Sequence, residues 1–145
     1  VRAALQAPDF ATAQVINRAR AGQGVSRQAY GLRRRVAEAR AVARSAGLPV
    51  LEVHPEVSFA AMAGAPLDAS KHTPAGIAQR QALLGAQGVT VAGCLDRPRP
   101  GVRVDDLLDA AAVAWTARRY AAGLAVSLPD PPARSADGWP VAVWV

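Results

Sequence analysis

Cysteine is almost absent from this chain. Cys94 is the only one, so no disulfide can close within it, and a reducing cytoplasm is the expected setting. Zinc is excluded as a structural staple, because Cys94, His54 and His72 lack the ligand spacing of a closed site. No serine stands in a G-x-S-x-G context, which removes the nucleophile elbow of a serine hydrolase. Long apolar runs are missing as well. The most apolar window, Leu107 to Val126, is interrupted by Asp109, Arg118 and Arg119 and is too polar to span a bilayer, so no membrane partner is expected. The N-terminus has no basic region followed by an apolar core and does not read as a signal peptide. Aromatic residues make up only 5% of the chain, which leaves base stacking on single strands poorly supported. Methionine occurs once, at Met62, and the first residue is Val1. The sequence is therefore expected to be part of a longer protein.

What the chain does have is arginine, and it is unevenly placed. Sixteen of 17 cations are arginines, with Lys71 the lone lysine, and the formal charge is +6. Residues 1–49 carry nine arginines against Asp9 and Glu38, whereas residues 50–145 carry eight cations against nine acids. At 145 residues the chain is read as one domain, residues 1–145. Within it, 1–49 is a basic helical segment and 50–145 a strand and helix core with an acidic cluster. A basic surface of this kind attracts polyanions through phosphate contacts, although a solvated helix surface explains charge alone equally simply.

Local signals place the elements. Residues 9–21 read as a helix with Asp9 as N-cap, ended by Gly22 and Gly24. Ser26 caps a second helix over 27–46. Its spacing puts Leu32, Val36, Ala39 and Ala43 on one stripe, with Arg33, Arg40 and Arg44 in a row beside it. Residues 50–54 alternate as a strand, which Pro55 ends, and 57–63 read as an apolar connection. Thr73 before Pro74 is a helix start, with the helix running through Leu84. Residues 89–95 read as strand or loop, and 96–101 as a loop. A helix capped by Asp105 or Asp106 runs to Ala122, its alanines small enough to pack on a sheet. An Asp-Gly turn leads to a last strand, 141–145. The pattern is α/β with too few strands for a comfortable sheet.

Two groups of acids stand out: Glu52 and Glu56 about the strand end, and Asp105, Asp106 and Asp109 at the helix start. The aspartates are three and four residues apart and can share one helical face. Carboxylates converging from a strand end and a helix start suit a hard divalent cation. The simpler reading of the aspartates is a helix first turn meeting its dipole. Glu52, in an apolar strand, must be solvated, paired or metal-bound. His54 is a ligand, a base or a donor to Glu52, or simply a hydrogen-bonded packing residue.

The segments "EVHPEVSF", "SKHTPAGIAQRQALL", "VDDLLDAAAVAWTARRYAAG" and "DGWPVAVWV", in this order, resemble the domain of unknown function 429 family, described as predicted nucleases with a ribonuclease H-like fold. The resemblance implies the C-terminal part of a ribonuclease H-like mixed sheet flanked by helices, preceded by a helical segment, with central acids binding Mg²⁺ or Mn²⁺. It carries Glu52, His54, Pro55 and Glu56 from the first motif, Lys71, Thr73, Gly76 and Arg80 from the second, and Asp105, Asp106 and Asp109 from the third. Family members open with a glycine-rich hairpin bearing an aspartate and a strand ending in Asp-x-Pro. Neither stands at the start of these 145 residues, so at least one metal-binding carboxylate is expected to be missing.

The roles that follow are Glu52 with Asp105 or Asp106 on the metal, and Glu56 or His54 orienting water or a ligand. Lys71 and Arg80 would contact phosphate, with a surface salt bridge the plain alternative for Arg80. Arg33, Arg40 and Arg44 would track a nucleic-acid backbone without sequence readout. The expected function is metal-dependent phosphodiester hydrolysis of DNA or RNA. Beside it stand a nucleic-acid-binding module without catalysis and an inactive fragment.

Overall fold

The computed structural model describes residues 2–45, 47, 49–95, 100–136 and 138–145. Most of the expected 96–101 loop and Asp137 of the expected Asp-Gly turn lie outside the described residues. The chain divides into two compact units, Val1–Val50 and Leu51–Val145.

The first unit is helical: α1 (Arg2–Leu5), α2 (Phe10–Ala21), α3 (Arg27–Gly31) and α4 (Arg33–Ser45). Asp9 starts α2 as its side chain accepts from the Thr12 N–H at 2.8 Å. That bond holds the Asp9 carboxyl below its ordinary range. Gly22, at φ 71°, ends the helix, its N–H bonded to the Arg18 carbonyl; the left-handed conformation there suits a residue without Cβ. Ser26 caps α3 through the Ala29 N–H. The core gathers Ala4, Ala7, Ala13, Val25 and Tyr30. The Tyr30 hydroxyl donates to the Ala7 carbonyl at 2.9 Å, so the aromatic ring is buried with its polar end satisfied.

The single helix expected over 27–46 is interrupted at Leu32. The apolar stripe along it is not buried: α4 has no buried residue, and Leu32 and Val36 are 46% and 51% exposed. The spacing was helical, but among the described residues of the first unit none buries that side.

The second unit contains β1 (Glu52–Val53), α5 (Pro55–Ala63), α6 (Pro74–Ala86), α7 (Ala92–Leu95), α8 (Val104–Ala121), β2 (Ser127–Arg134) and β3 (Pro140–Trp144). It is an α/β unit with a mixed sheet in the order β1-β3-β2. β1 runs parallel to β3, with Glu52 opposite Val143, and β2 runs antiparallel to β3. Residues 57–63, expected as a connection, belong to α5. Pro55 occupies its first turn, where a missing N–H costs nothing, as Pro74 does in α6. The ambiguous 89–95 stretch contains the short helix α7 rather than a strand.

Helix α8 packs on α5 and α6, not chiefly on the sheet. Phe59, Leu84, Leu108 and Ala112 form the core between them. Ser58 and Thr116, both fully buried, satisfy each other at 2.9 Å across the α5–α8 contact.

Gly76 has a tight packing role in α6. A Cβ there would press on the Ser70 carbonyl and stand 3.0 Å from the Ala69 carbonyl oxygen. Both obstacles are backbone and cannot swing aside. Gly76→Ala is therefore expected to destabilise by about 2–3 kcal/mol, the upper part of the usual overpacking range. Denaturant unfolding checks this; an unchanged midpoint would mean that the 69–70 loop yields freely.

Candidate functional site

The charged side chains of the second unit meet in pairs drawn from distant parts of the chain. Glu56 stands in the first turn of α5, where a carboxylate also meets the positive end of the helix. Arg80 reaches it from α6 with two parallel bonds, Nε to Oε1 at 3.1 Å and an Nη to Oε2 at 2.6 Å. The other guanidinium nitrogen donates to the Ala69 and Gly76 carbonyls, each at 3.0 Å. Arg80 is only 2% exposed and lies over the Phe59 ring. All its donor groups thus serve the fold. The phosphate contact expected of Arg80 has no open approach, and the ion pair expected at the surface is buried on the arginine side.

Lys71 Nζ donates to Asp109 Oδ2 at 2.6 Å. That bond, with Asp105 and Glu56 adding attraction, holds the ammonium above its ordinary range. Asp105 and Asp109 are one turn apart on α8, so both face the same side, as their spacing indicated. Asp105 accepts from Arg103 Nε at 2.9 Å, and its second oxygen is 3.3 Å from His72 Nδ1. The Arg103 bond keeps the Asp105 carboxyl below its ordinary range, with His72 contributing further. The same Nδ1 lies 3.4 Å from an Arg103 Nη, so it stands between a donor and an acceptor.

Asp106 turns away from this group. It is exposed and its Oδ2 accepts from the Arg103 N–H at the start of α8, the capping role that was the simpler reading. Glu52 and His54 are exposed at the end of β1. Exposure answers the question Glu52 raised, since water solvates its carboxylate. His54 supplies its carbonyl, not its ring, to the start of α5, accepting from the Val57 N–H at 2.9 Å. No contact joins Glu52, His54 or Asp106 to the Lys71 cluster among the described residues. In the first unit, Arg33 donates to the Tyr30 carbonyl and lies 4.1 Å from that ring's centroid, while Arg40 and Arg44 also have partners.

The sequence reading passed over His72 as a site residue. Its only signal was adjacency to Lys71; its partner Asp105 is 33 residues away.

The pairings carry a pH signature. Asp105 has a folded pKa below its ordinary 3.8, so its stabilisation is present above that value and lost as pH falls through the folded one. Lys71 has a folded pKa above its ordinary 10.5, so its contribution is present below that value and lost as pH rises through the folded one. Stability measured against pH is expected to decline at both extremes, with Asp105→Asn flattening chiefly the acid limb and, through the lost attraction on Lys71, weakly the alkaline one. An acid limb unchanged in that variant would show that the Arg103 contact contributes nothing.

The donors offered by Glu56, Asp105 and Asp109 are hard oxygens, the kind Mg²⁺ and Mn²⁺ take. Asp109 Oδ1 is buried without a hydrogen-bond partner, so one carboxylate oxygen remains unsatisfied. Yet each acid already has a basic partner, and as placed no three described His, Cys, Asp or Glu side chains are grouped to hold an ion. The residues fit a divalent cation in donor chemistry, and the Lys71 ammonium occupies one oxygen of Asp109.

Fold and site together define an α/β protein with an acidic cluster gathered about one lysine. The chain belongs to the family described as Protein of unknown function (DUF429), whose model matches residues 1–134. No curated protein and no solved structure matches it. Among the described residues, no helix is long and apolar enough to cross a membrane.

Proposed function

We propose that the chain serves metal-dependent hydrolysis of nucleic-acid phosphodiesters, with Glu56, Asp105 and Asp109 as the side chains that hold Mg²⁺ or Mn²⁺. The observation that carries this reading is the Lys71–Asp109 ion pair at 2.6 Å, with Asp105 one turn before Asp109 on α8. In this reading Glu56 and Asp109 take the places expected of Glu52 and Asp106. The ribonuclease H-like arrangement implied by the family resemblance belongs to the same reading.

When bound, the cation supplies charge neutralisation at the phosphodiester. The chain's own residues do the rest. Lys71 offers a compact positive charge to a phosphate oxygen once it leaves Asp109. Asp105 and Arg103 hold the His72 ring at Nδ1, leaving Nε2 to take a proton from an attacking water when Nδ1 carries the ring proton. Arg80 fixes the Glu56 carboxylate without touching substrate.

The test is incubation of the full chain with Mg²⁺ or Mn²⁺ and mixed DNA and RNA, beside Asp109→Asn. Cleavage that requires the metal and fails in the variant supports the reading; equal cleavage by both removes the cluster from the chemistry.

A second reading, nucleic-acid binding without catalysis, is favoured by α4, which buries nothing and leaves Arg34 and Arg35 exposed. Each phosphate neutralised contributes a slope of about 0.9 in log affinity against log salt. Replacing both residues with glutamine is expected to reduce that slope by about 2 in filter-binding or anisotropy measurements. An unaltered slope would place the contacts elsewhere.

A further inference from the structure

At the far end of α8, about 20 Å along the helix from Asp105 at 1.5 Å per residue, lies a cavity of about 290 Å³. It is lined by Gln87, Trp115, Arg118, Arg119, Ala122 and Leu124. That volume is near the lower end for small-molecule sites. Arg118 donates one Nη to the Gln87 carbonyl at 2.7 Å. Arg119 donates one to the Leu124 carbonyl at 2.7 Å and stacks 4.8 Å from the centroid of the Trp115 ring. Trp115 is fixed in turn by its Nε1–H on Gln87 Oε1 at 3.2 Å. Both guanidinium groups are therefore held in place before any ligand arrives.

Neither arginine has a carboxylate partner among the described residues. The Arg119 Nε–H is buried and unpartnered, a costly state for a charged donor unless an acceptor meets it. The C-terminal end of a helix contributes about half a negative charge, which offsets only part of two full positive charges. The cavity is a positive, pre-ordered recess with unused donors.

We propose that this recess binds a phosphate group, held by the Nη N–H groups of Arg118 and Arg119 that their carbonyl bonds leave uncommitted. The planar forks of two arginines match the oxygens of a phosphate in geometry and charge. The phosphate arrives either as a free anion or as part of a nucleic-acid backbone. The site stands independently of hydrolysis at the Lys71 cluster.

The experiment titrates the full chain at low salt, by calorimetry, with inorganic phosphate in one arm and a short single-stranded oligonucleotide in the other. Arg118→Gln is the main variant, because Arg118 is exposed and its loss leaves the core intact. Arg119→Lys is the second; it keeps the positive charge but lacks the planar guanidinium fork, and circular dichroism verifies its fold. Wild type is expected to bind in at least one arm, with both variants weaker there by roughly tenfold or more, the scale of a lost charge-assisted hydrogen bond. Loss confined to the phosphate arm identifies a free anion, and loss in the oligonucleotide arm identifies backbone phosphate. No binding by wild type in either arm, or variants matching wild type in both, overturns the proposal.

Discussion

Glu56→Gln is expected to lower the stability of the Leu51–Val145 unit by roughly 2–4 kcal/mol, discounted from the ~3–5 kcal/mol of a fully buried pair because the glutamate is partly exposed. The physical reason is an asymmetry between the two partners. Arg80 is 2% exposed whereas Glu56 is 36% exposed. Without its carboxylate, the guanidinium remains buried with its full charge and only two carbonyls and a neutral amide around it. It cannot reach water without opening the α5–α6 contact. For a unit of this size the loss corresponds to a fall in midpoint on the order of 10–25 °C. Removing Arg80 as well, in Glu56→Gln/Arg80→Met, eliminates the stranded charge, so the second change should cost less in that background than alone. Thermal and denaturant unfolding of the four proteins in this cycle measure the coupling. Purely additive losses would show that the pair, despite its short bonds, has no energetic coupling.

The second large effect concerns activity. Asp109→Asn is expected to reduce metal-dependent cleavage by at least about 100-fold, beyond the ~10–100-fold typical of groups that only support a ligand. Asp109 is the residue on which the cluster turns. One oxygen holds Lys71 at 2.6 Å and the other is buried without a partner. Asparagine retains the shape but offers only one weaker acceptor and no charge. The fold should survive, because the side chain is 23% exposed and stands on a helix whose core contacts are made by Leu108 and Ala112. Cleavage rates at saturating Mn²⁺, compared with an unfolding curve for the same sample, separate lost chemistry from lost structure. A rate within threefold of wild type would exclude Asp109 from the reaction.

Features decided by neighbours in sequence were readable before any coordinates. The Asp9, Ser26 and Thr73 caps are of this kind, because each side chain bonds a backbone N–H three residues on. So is the shared face of Asp105 and Asp109. Helix α5 carried the same proline signal as α6 but was missed, since His54 makes no side-chain cap and residues 57–63 are apolar but for Ser58, with no amphipathic stripe. Strand β2 was unreadable for a different reason. Its sequence "SLPDPPAR" contains Pro129, Pro131 and Pro132, which cannot donate to a ladder. The strand is recognisable only through its pairing with β3, interrupted by an irregularity between Leu128 and Ala133. The site was legible in its residue types and not in its pairings. Arg80 with Glu56 and Lys71 with Asp109 join residues 24 and 38 apart, and no local rule ranks those partners above Glu52 or Asp106. Sequence made Glu52 the leading ligand because a carboxylate in an apolar strand looked costly. A two-residue strand with that side chain in water removes the cost.

The proposed reading requires that the Lys71 ammonium compete with a divalent cation for Asp109 and the carboxylates beside it. Mn²⁺ titration of the full chain, followed by electron paramagnetic resonance of the free ion, tests it most directly. Lys71→Met is expected to bind Mn²⁺ about tenfold or more tightly than wild type, as removal of one competing charge requires, and Lys71→Met/Asp109→Asn to lose that gain. Equal Mn²⁺ affinity in wild type and Lys71→Met would contradict the claim and leave the acids as partners of basic side chains alone.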